Sequence, residues 1–169
     1  QWEAEWNRRI RNKGPVSFVM LDFNGMKITN DTFGHQAGDV LIQKFATKLR
    51  EELRTKDKND ARPEDLVIRW GGDEFLIIMP NTSRQKAAFA IKRLKEVFKQ
   101  TQFEIAPNVF IPVPFCAGLV THTGKSVEHT AESVFKESTQ LADIALYEDK
   151  AKNPKRNELI LAALNKKKQ

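Results

Sequence analysis

An α+β fold, in which helices pack on a sheet containing antiparallel strands, is predicted by three features of the sequence. Residues 16–21, Val-Ser-Phe-Val-Met-Leu, are a short apolar run rich in β-branched and aromatic side chains, as expected of a strand buried on both faces. Two more apolar runs, 66–70 and 75–79, flank Gly71-Gly72-Asp73-Glu74, and a Gly-Gly pair so placed is a strong tight-hairpin signal. Between and beyond these runs, apolar residues recur at the three-to-four-residue period of amphipathic helices. Helices packed on an antiparallel-containing sheet, flanking it, make an α+β sandwich related to the split βαβ type.

The elements follow in order. Trp2, Trp6 and Ile10 stand four apart and predict a helix over 1–12, ended near Gly14-Pro15, whose apolar face is a candidate interface. The first strand ends at Asp22. After a polar stretch with Gly34 and Gly38, the spacing of Leu41, Phe45, Leu49 and Leu53 predicts a helix, and 54–65 read as a charged loop. The hairpin of 66–79 is placed beside the first strand. A helix is predicted over 82–99 with Ala87, Ile91, Leu94 and Phe98 inward. Residues 109–121 read as one strand, part of it pushed to an edge or bulge by Pro112 and Pro114, each of which removes a ladder donor. The last long helix is predicted over 129–150, with Val134, Leu141, Ala145 and Tyr147 among its apolar positions. There is no internal repeat, and Lys166-Lys167-Lys168 is the only low-complexity stretch.

A length of 169 residues fits one domain, and 40% hydrophobic with 30% charged residues is ordinary for a soluble fold. No apolar stretch approaches the ~20 residues that span a bilayer. The single cysteine, Cys116, excludes an internal disulfide and a Cys-rich zinc site, which fits a reducing, cytoplasmic setting. The chain opens at Gln1 without a signal peptide, so a fragment of a longer parent, one that could carry a membrane anchor, is expected, divided into a domain over 1–160 and a basic tail over 161–169. Net charge is +6, yet residues 150–169 alone carry seven basic residues and one acidic, leaving 21 of each sign in 1–149. A uniformly basic surface for nucleic acid is therefore excluded.

Two acidic positions stand at strand ends: Asp22, and Asp73 with Glu74 in the hairpin turn. If the strands are neighbours, the carboxylates converge and need a cation between them; oxygen ligands of this kind suit Mg²⁺, which takes one or two carboxylates plus substrate phosphates. The glycines let a phosphate approach the backbone. Taken alone, the same residues also fit a plain tight turn and a strand terminator.

The segment Asp22-Phe23-Asn24-Gly25-Met26-Lys27-Ile28-Thr29-Asn30-Asp31, then Gly34-His35 and Gly38-Asp39, Arg69-Trp70-Gly71-Gly72-Asp73-Glu74-Phe75, and Ala142-Asp143-Ile144-Ala145-Leu146-Tyr147 together resemble the GGDEF family of diguanylate cyclases. The resemblance runs from about residue 5 to 160, in the family's order and spacing. It implies a palm-like fold shared with nucleotidyl cyclases, with the signature in a β-hairpin turn, and condensation of two GTP into cyclic di-GMP with release of pyrophosphate. It implies two Mg²⁺ (or Mn²⁺) per GTP site, held by Asp22, Asp73 and the Phe23 carbonyl. Asp73 would accept the proton of the attacking 3′-hydroxyl, supported by Glu74, and Lys27 would stabilise phosphate charge in the transition state. Asn30 and Asp39 match the guanine-reading pair, since an Asp accepts from N1–H and N2–H₂ and an Asn amide both donates and accepts. His35, Gly71 and Gly72 match substrate-pocket positions, and Lys150 a ligand of the β and γ phosphates. Two residues are inserted after Lys150 and the family's glycine is lost, which makes Arg156 the choice for the second phosphate ligand, with Lys155 the alternative. Asn24, where many members carry Asp, is a second departure.

Arg62-Pro63-Glu64-Asp65 has the form RxxD and lies five residues before Gly71, the family's position for a product-binding inhibitory site, in which an Arg can read the O6/N7 edge of guanine. Arg93 matches a secondary inhibitory arginine. One domain carries one GTP site, so the resemblance implies a homodimer for catalysis, driven by an upstream sensory or regulatory domain, with GTP and cyclic di-GMP as ligands and no nucleic-acid or membrane contact within this fragment. A catalytically silent cyclic di-GMP or GTP receptor is the alternative. A P-loop at Gly124-Lys125-Ser126 fails, because Gly118 lies too far upstream and no strand leads into it.

Overall fold

Side chains alternate along β1 (Val16–Phe23), and that alternation sorts the molecule into layers. The computed structural model describes residues 14–54, 65–123 and 130–165, so the expected helix over 1–12, most of the charged loop and Gly124-Lys125-Ser126 fall outside the described residues. β1 pairs antiparallel with β3 (Glu74–Met79) on one side and with β6 (Phe115–His122) on the other. β2 (Leu66–Gly71) joins β3 through the Gly71-Gly72 turn, giving the order β2-β3-β1-β6. The hairpin beside the first strand is as the sequence predicts.

One face of the sheet presents Val19, Leu21, Phe23, Phe75, Ile77 and Met79, packed on α2 (His35–Arg54) and α3 (Arg84–Gln100). Phe45 of α2 anchors this core, its ring 4.7 Å from Phe23 and 4.6 Å from Phe98 of α3. Such aromatic pairs contribute about 0.5–1.5 kcal/mol each beyond burial. The opposite face presents Phe18, Met20, Leu76, Ile78 and Cys116 to α4 (Ala131–Lys152). The short helix α1 (Met26–Phe33) follows β1 after a turn at Gly25, whose φ of 95° lies in the left-handed region open to glycine. Ser83 caps α3 by accepting from the Lys86 amide at 3.4 Å, and Thr130 caps α4 by accepting from the Ser133 amide at 3.2 Å.

One expectation needs correction, and two features were not foreseen. The single strand over 109–121 is two: β5 (Val109–Pro112) pairs with β4 (Gln102–Ala106) in a separate hairpin, and the chain enters β6 only after Pro114. Pro112 and Pro114 each lack a ladder donor, and the chain leaves one ladder at Pro112 and enters the next after Pro114. The face of α4 that is buried carries Val134, Ser138, Thr139, Ala142 and Leu146, while Leu141 and Tyr147 are exposed. Gly118 decides this: a Cβ there would collide with the Ala142 carbonyl and the Leu146 amide, so backbone of α4 lies directly on β6. Finally, α5 (Glu158–Asn165) was not expected; it runs across residue 160, and its Ile160 is fully buried against Gly25.

Candidate active site

The period of two along β1 and β3 aims Asp22 and Glu74 at the α4 face, alongside Met20 and Leu76. In register they are directly opposite one another, where like charges repel. The Phe23 amide donates to the Asp73 carbonyl at 3.2 Å, so the hairpin turn is tied to the residue after Asp22 by backbone. Arg69 steadies the turn from within, donating from Nε and Nη2 to the Gly72 carbonyl at 3.2 and 3.0 Å. Gly71 and Gly72 are exposed, and a Cβ on Gly72 would meet nothing within 4 Å, so the turn is open to an approaching group. Asn24 is buried, and its backbone N–H donates to the Pro114 carbonyl at 2.9 Å.

Lys150, in the last turn of α4, closes the cluster: its Nζ donates to Asp22 Oδ2 at 2.7 Å. Burial raises the Asp22 carboxyl above its ordinary range, the hydrogen bond from Lys150 opposes this, and the Asp73 charge adds to the rise. Glu74 is raised as well, by burial first, against the pull of Lys150 and with the charges of Asp22, Asp143 and Asp73. Four carboxylates thus share one field. The chain then reverses: the Asn153 amide donates to the Lys150 carbonyl at 3.2 Å, and Arg156 Nη1 returns to that carbonyl at 3.4 Å. This turn spans the stretch where the resemblance places two extra residues, and the Arg156 charge acts on Asp22. Lys155 is exposed and paired with Glu158 at 3.4 Å.

Among the described residues no three carboxylate, histidine or cysteine side chains form a ready-made metal cage. The donors that converge are nevertheless all oxygen and over-rich in negative charge, with a lysine ammonium already bound among them. That chemistry fits Mg²⁺, which completes its shell with phosphate oxygens and water.

A second cluster lies on α1 and α2. Asn30 Oδ1 is buried without a hydrogen-bond partner, and a Cβ on Gly38 would collide with it. Gly38 therefore makes room for an acceptor that waits for a donor. Lys27, His35 and Asp39 are exposed on the same two helices, and among the described residues no hydrogen bond or ion pair joins them to the carboxylates. Of the RxxD pair, Arg62 lies outside the described residues and Asp65 is half-buried just before β2. Arg93 is engaged within the chain, its Nη1 at 2.9 Å from Glu52 Oε2 and its Nη2 donating to the Glu52 carbonyl at 2.8 Å.

Sequence reasoning missed Gly118, whose signal was a glycine inside a strand-like run, and Asp149, for which the sequence carries no local signal.

The family model described as "Diguanylate cyclase, GGDEF domain" matches residues 1–158. Diguanylate cyclase DgcP of Pseudomonas aeruginosa is 31% identical over 160 residues, which are 95% of this chain and 21% of DgcP. Response regulator PleD of Caulobacter vibrioides is 31% identical over 138 residues, 81% of this chain and 27% of PleD. The chain spans less than a third of the length of these relatives. Diguanylate cyclase SiaD of P. aeruginosa, crystallised with its activator SiaC, superposes with a TM-score of 0.70 at 27% identity, over 89% of this chain and 52% of that one. The GGDEF domain of DgcB from Caulobacter crescentus, in complex with c-di-GMP, shares the fold with a TM-score of 0.70 at 22% identity, over 90% and 81% of the two chains. The signature at a strand-to-strand turn, the aspartate beside it and the match over nearly the whole chain lead to one conclusion: this chain belongs to the GGDEF domain family.

Proposed function

We propose that the domain is one half of a diguanylate cyclase, binding one GTP and joining it to a second GTP held by another copy of the chain. The observation that carries this reading is the placement of Asp22 opposite Glu74, with Asp73 tied to Phe23 and Lys150 bound at 2.7 Å. Carboxylates that repel one another hold a cation, and a phosphate-seeking lysine beside them fits a nucleoside triphosphate.

In this reading Asp22, Asp73 and the Phe23 carbonyl hold Mg²⁺ or Mn²⁺, two ions per site. The metal supplies charge neutralisation at the phosphates and lowers the cost of forming the nucleophile. Asp73 accepts the proton of the 3′-hydroxyl, and Glu74 supports it. Lys150 and Arg156 take the β and γ phosphates, Lys27 meets charge that builds at the α phosphate, and the open Gly71-Gly72 turn admits the phosphates. Asn30 and Asp39 read guanine, with His35 at the pocket; the orphaned Asn30 acceptor favours a base that presents donors, as guanine does through N1–H and N2–H₂. Cyclic di-GMP binds a separate inhibitory site at Arg62, Asp65 and Arg93.

The test is incubation of the domain at high concentration with Mg²⁺ and GTP, followed by an assay for cyclic di-GMP. Product is expected, in proportion to the fraction of dimer. Absence of product together with tight cyclic di-GMP binding replaces this reading with that of a silent receptor.

A further inference from the structure

At the edge of the sheet, three groups from three elements meet on one residue. β6 is an edge strand, and an outward-facing amide there lacks a ladder partner. The Ala117 amide finds one in Asp149 Oδ2 at 2.9 Å, and Lys95 Nζ of α3 reaches the same oxygen at 2.6 Å. Asn153, which ends α4, donates from Nδ2 to the Asp149 carbonyl at 2.8 Å and to Oδ1 at 3.3 Å. Since α3 and α4 lie on opposite faces of the sheet, Asp149 reaches around the β6 edge and clips the two helical layers together.

An acidic side chain in the last turn of a helix is unfavourable, because the carbonyl ends already carry partial negative charge. A residue that breaks a local preference needs a compensating gain, and such residues concentrate at functional sites. The compensation here is local: one ammonium and one orphan amide. The gain lies one residue further on, where Lys150 reaches Asp22. A helix terminus frays unless it is held, because its last carbonyls lack intrahelical donors.

We propose that Asp149 is a positioning residue for the triphosphate: by clipping the last turn of α4 to β6 and α3, it fixes the place from which Lys150 and Arg156 engage the β and γ phosphates. This rests on the cyclase reading above. Asp149 itself touches no substrate. Its effect is confined to the phosphate tail, and guanine recognition on α1 and α2 is independent of it.

The test compares binding of GTP and GMP, each with Mg²⁺, by titration calorimetry. In Asp149→Ala the ratio of GTP to GMP affinity is expected to fall about tenfold, the loss of roughly one charge-assisted hydrogen bond, with GMP affinity unchanged. Lys95→Met, which leaves two of the three contacts in place, lowers the ratio less, and Lys95→Arg, which keeps the ion pair, restores it. A ratio unchanged in both Asp149→Ala and Lys95→Met overturns the inference, as does equal loss of GTP and GMP binding in Lys95→Met, the mark of a purely structural role. If the unsubstituted domain binds GTP no better than GMP, the cyclase reading falls and takes the inference with it; a preference that Asp149→Ala leaves undiminished overturns the inference alone.

Discussion

The ammonium of Lys150 lies 2.7 Å from Oδ2 of Asp22, the carboxylate that stands opposite Glu74 across the β1–β3 ladder. The pair is part-buried, with side chains 26% and 14% exposed, so removing one partner leaves the other poorly solvated.

Lys150→Met is therefore expected to lower stability in metal-free buffer by about 2 kcal/mol, the cost of leaving a part-buried acceptor unsatisfied. Added Mg²⁺ should recover more stability in the variant than in the unsubstituted protein, because a ligand that binds only the folded state stabilises it by mass action. Thermal denaturation with and without Mg²⁺ measures both quantities. An equal Mg²⁺ response in the two proteins rejects a shared cation site.

The pH dependence follows from the signs. Asp22 and Glu74 are raised in the folded state, so their charged forms disfavour folding at neutral pH. As pH falls through their raised values, the folded protein takes up protons before the unfolded chain does, and this contribution to stability grows until the ordinary carboxylate range is passed. Glu52 runs the other way: the hydrogen bond from Lys48, opposed by burial and aided by Arg93, lowers it, so its contribution is present above the ordinary range and is lost as pH falls through the lowered value. Denaturant melts of Asp22→Asn and Glu52→Gln between pH 7 and acid should change slope in opposite directions relative to the parent.

Gly118→Ala places a methyl group against the Ala142 carbonyl and the Leu146 amide. Neither is a flexible side-chain tip, so α4 has to move. A loss of about 1–3 kcal/mol is expected from overpacking of this kind. GTP turnover should fall further than stability does, because Lys150 moves with the helix. Equal melting temperatures for the variant and the parent exclude the close approach.

Gly38→Ala meets mainly the tip of Asn30, which can swing aside at little cost. Stability should be nearly unchanged, while the preference for GTP over a triphosphate whose base lacks the guanine N2 amine drops by about tenfold. Competition binding reads this directly. Retained preference removes Asn30 from the guanine site.

At the proposed inhibitory site, Arg62→Ala is expected to abolish noncompetitive inhibition by cyclic di-GMP. Arg93→Ala removes two contacts to Glu52 and should cost about 1 kcal/mol of stability. Steady-state kinetics at several cyclic di-GMP concentrations separate the two. Unchanged inhibition in Arg62→Ala removes the assignment.

The parts of the fold legible in the sequence are those in which local pattern and tertiary role coincide. The apolar run at 16–21 and the Gly71-Gly72 turn state both their conformation and their partners, and the carboxylates at their ends follow. The inward face of α3 was legible for the same reason: Ala87, Ile91, Leu94 and Phe98 repeat at helical spacing and are all buried. What was not legible depends on a distant element. The buried face of α4 is set by a missing side chain on β6, at Gly118, and no periodicity within the helix reports it. α5 owes its burial to Ile160 filling the space above Gly25. Asp149 looks like any exposed acid of a helix end until Lys95 and the Ala117 amide are placed around it.

The hydrogen bond from the Phe23 amide to the Asp73 carbonyl joins the two halves of the carboxylate cluster at the end of β1, a strand paired on both sides. Amides at such positions exchange with solvent only when the whole domain opens, whereas peripheral helices open locally at lower free energy. Under mild denaturant the proposed contacts to base and phosphate, at Asn30 and Lys150, are therefore expected to be lost while the carboxylates are still in register. On that expectation recognition melts first, and the proposed cation site goes with the fold itself.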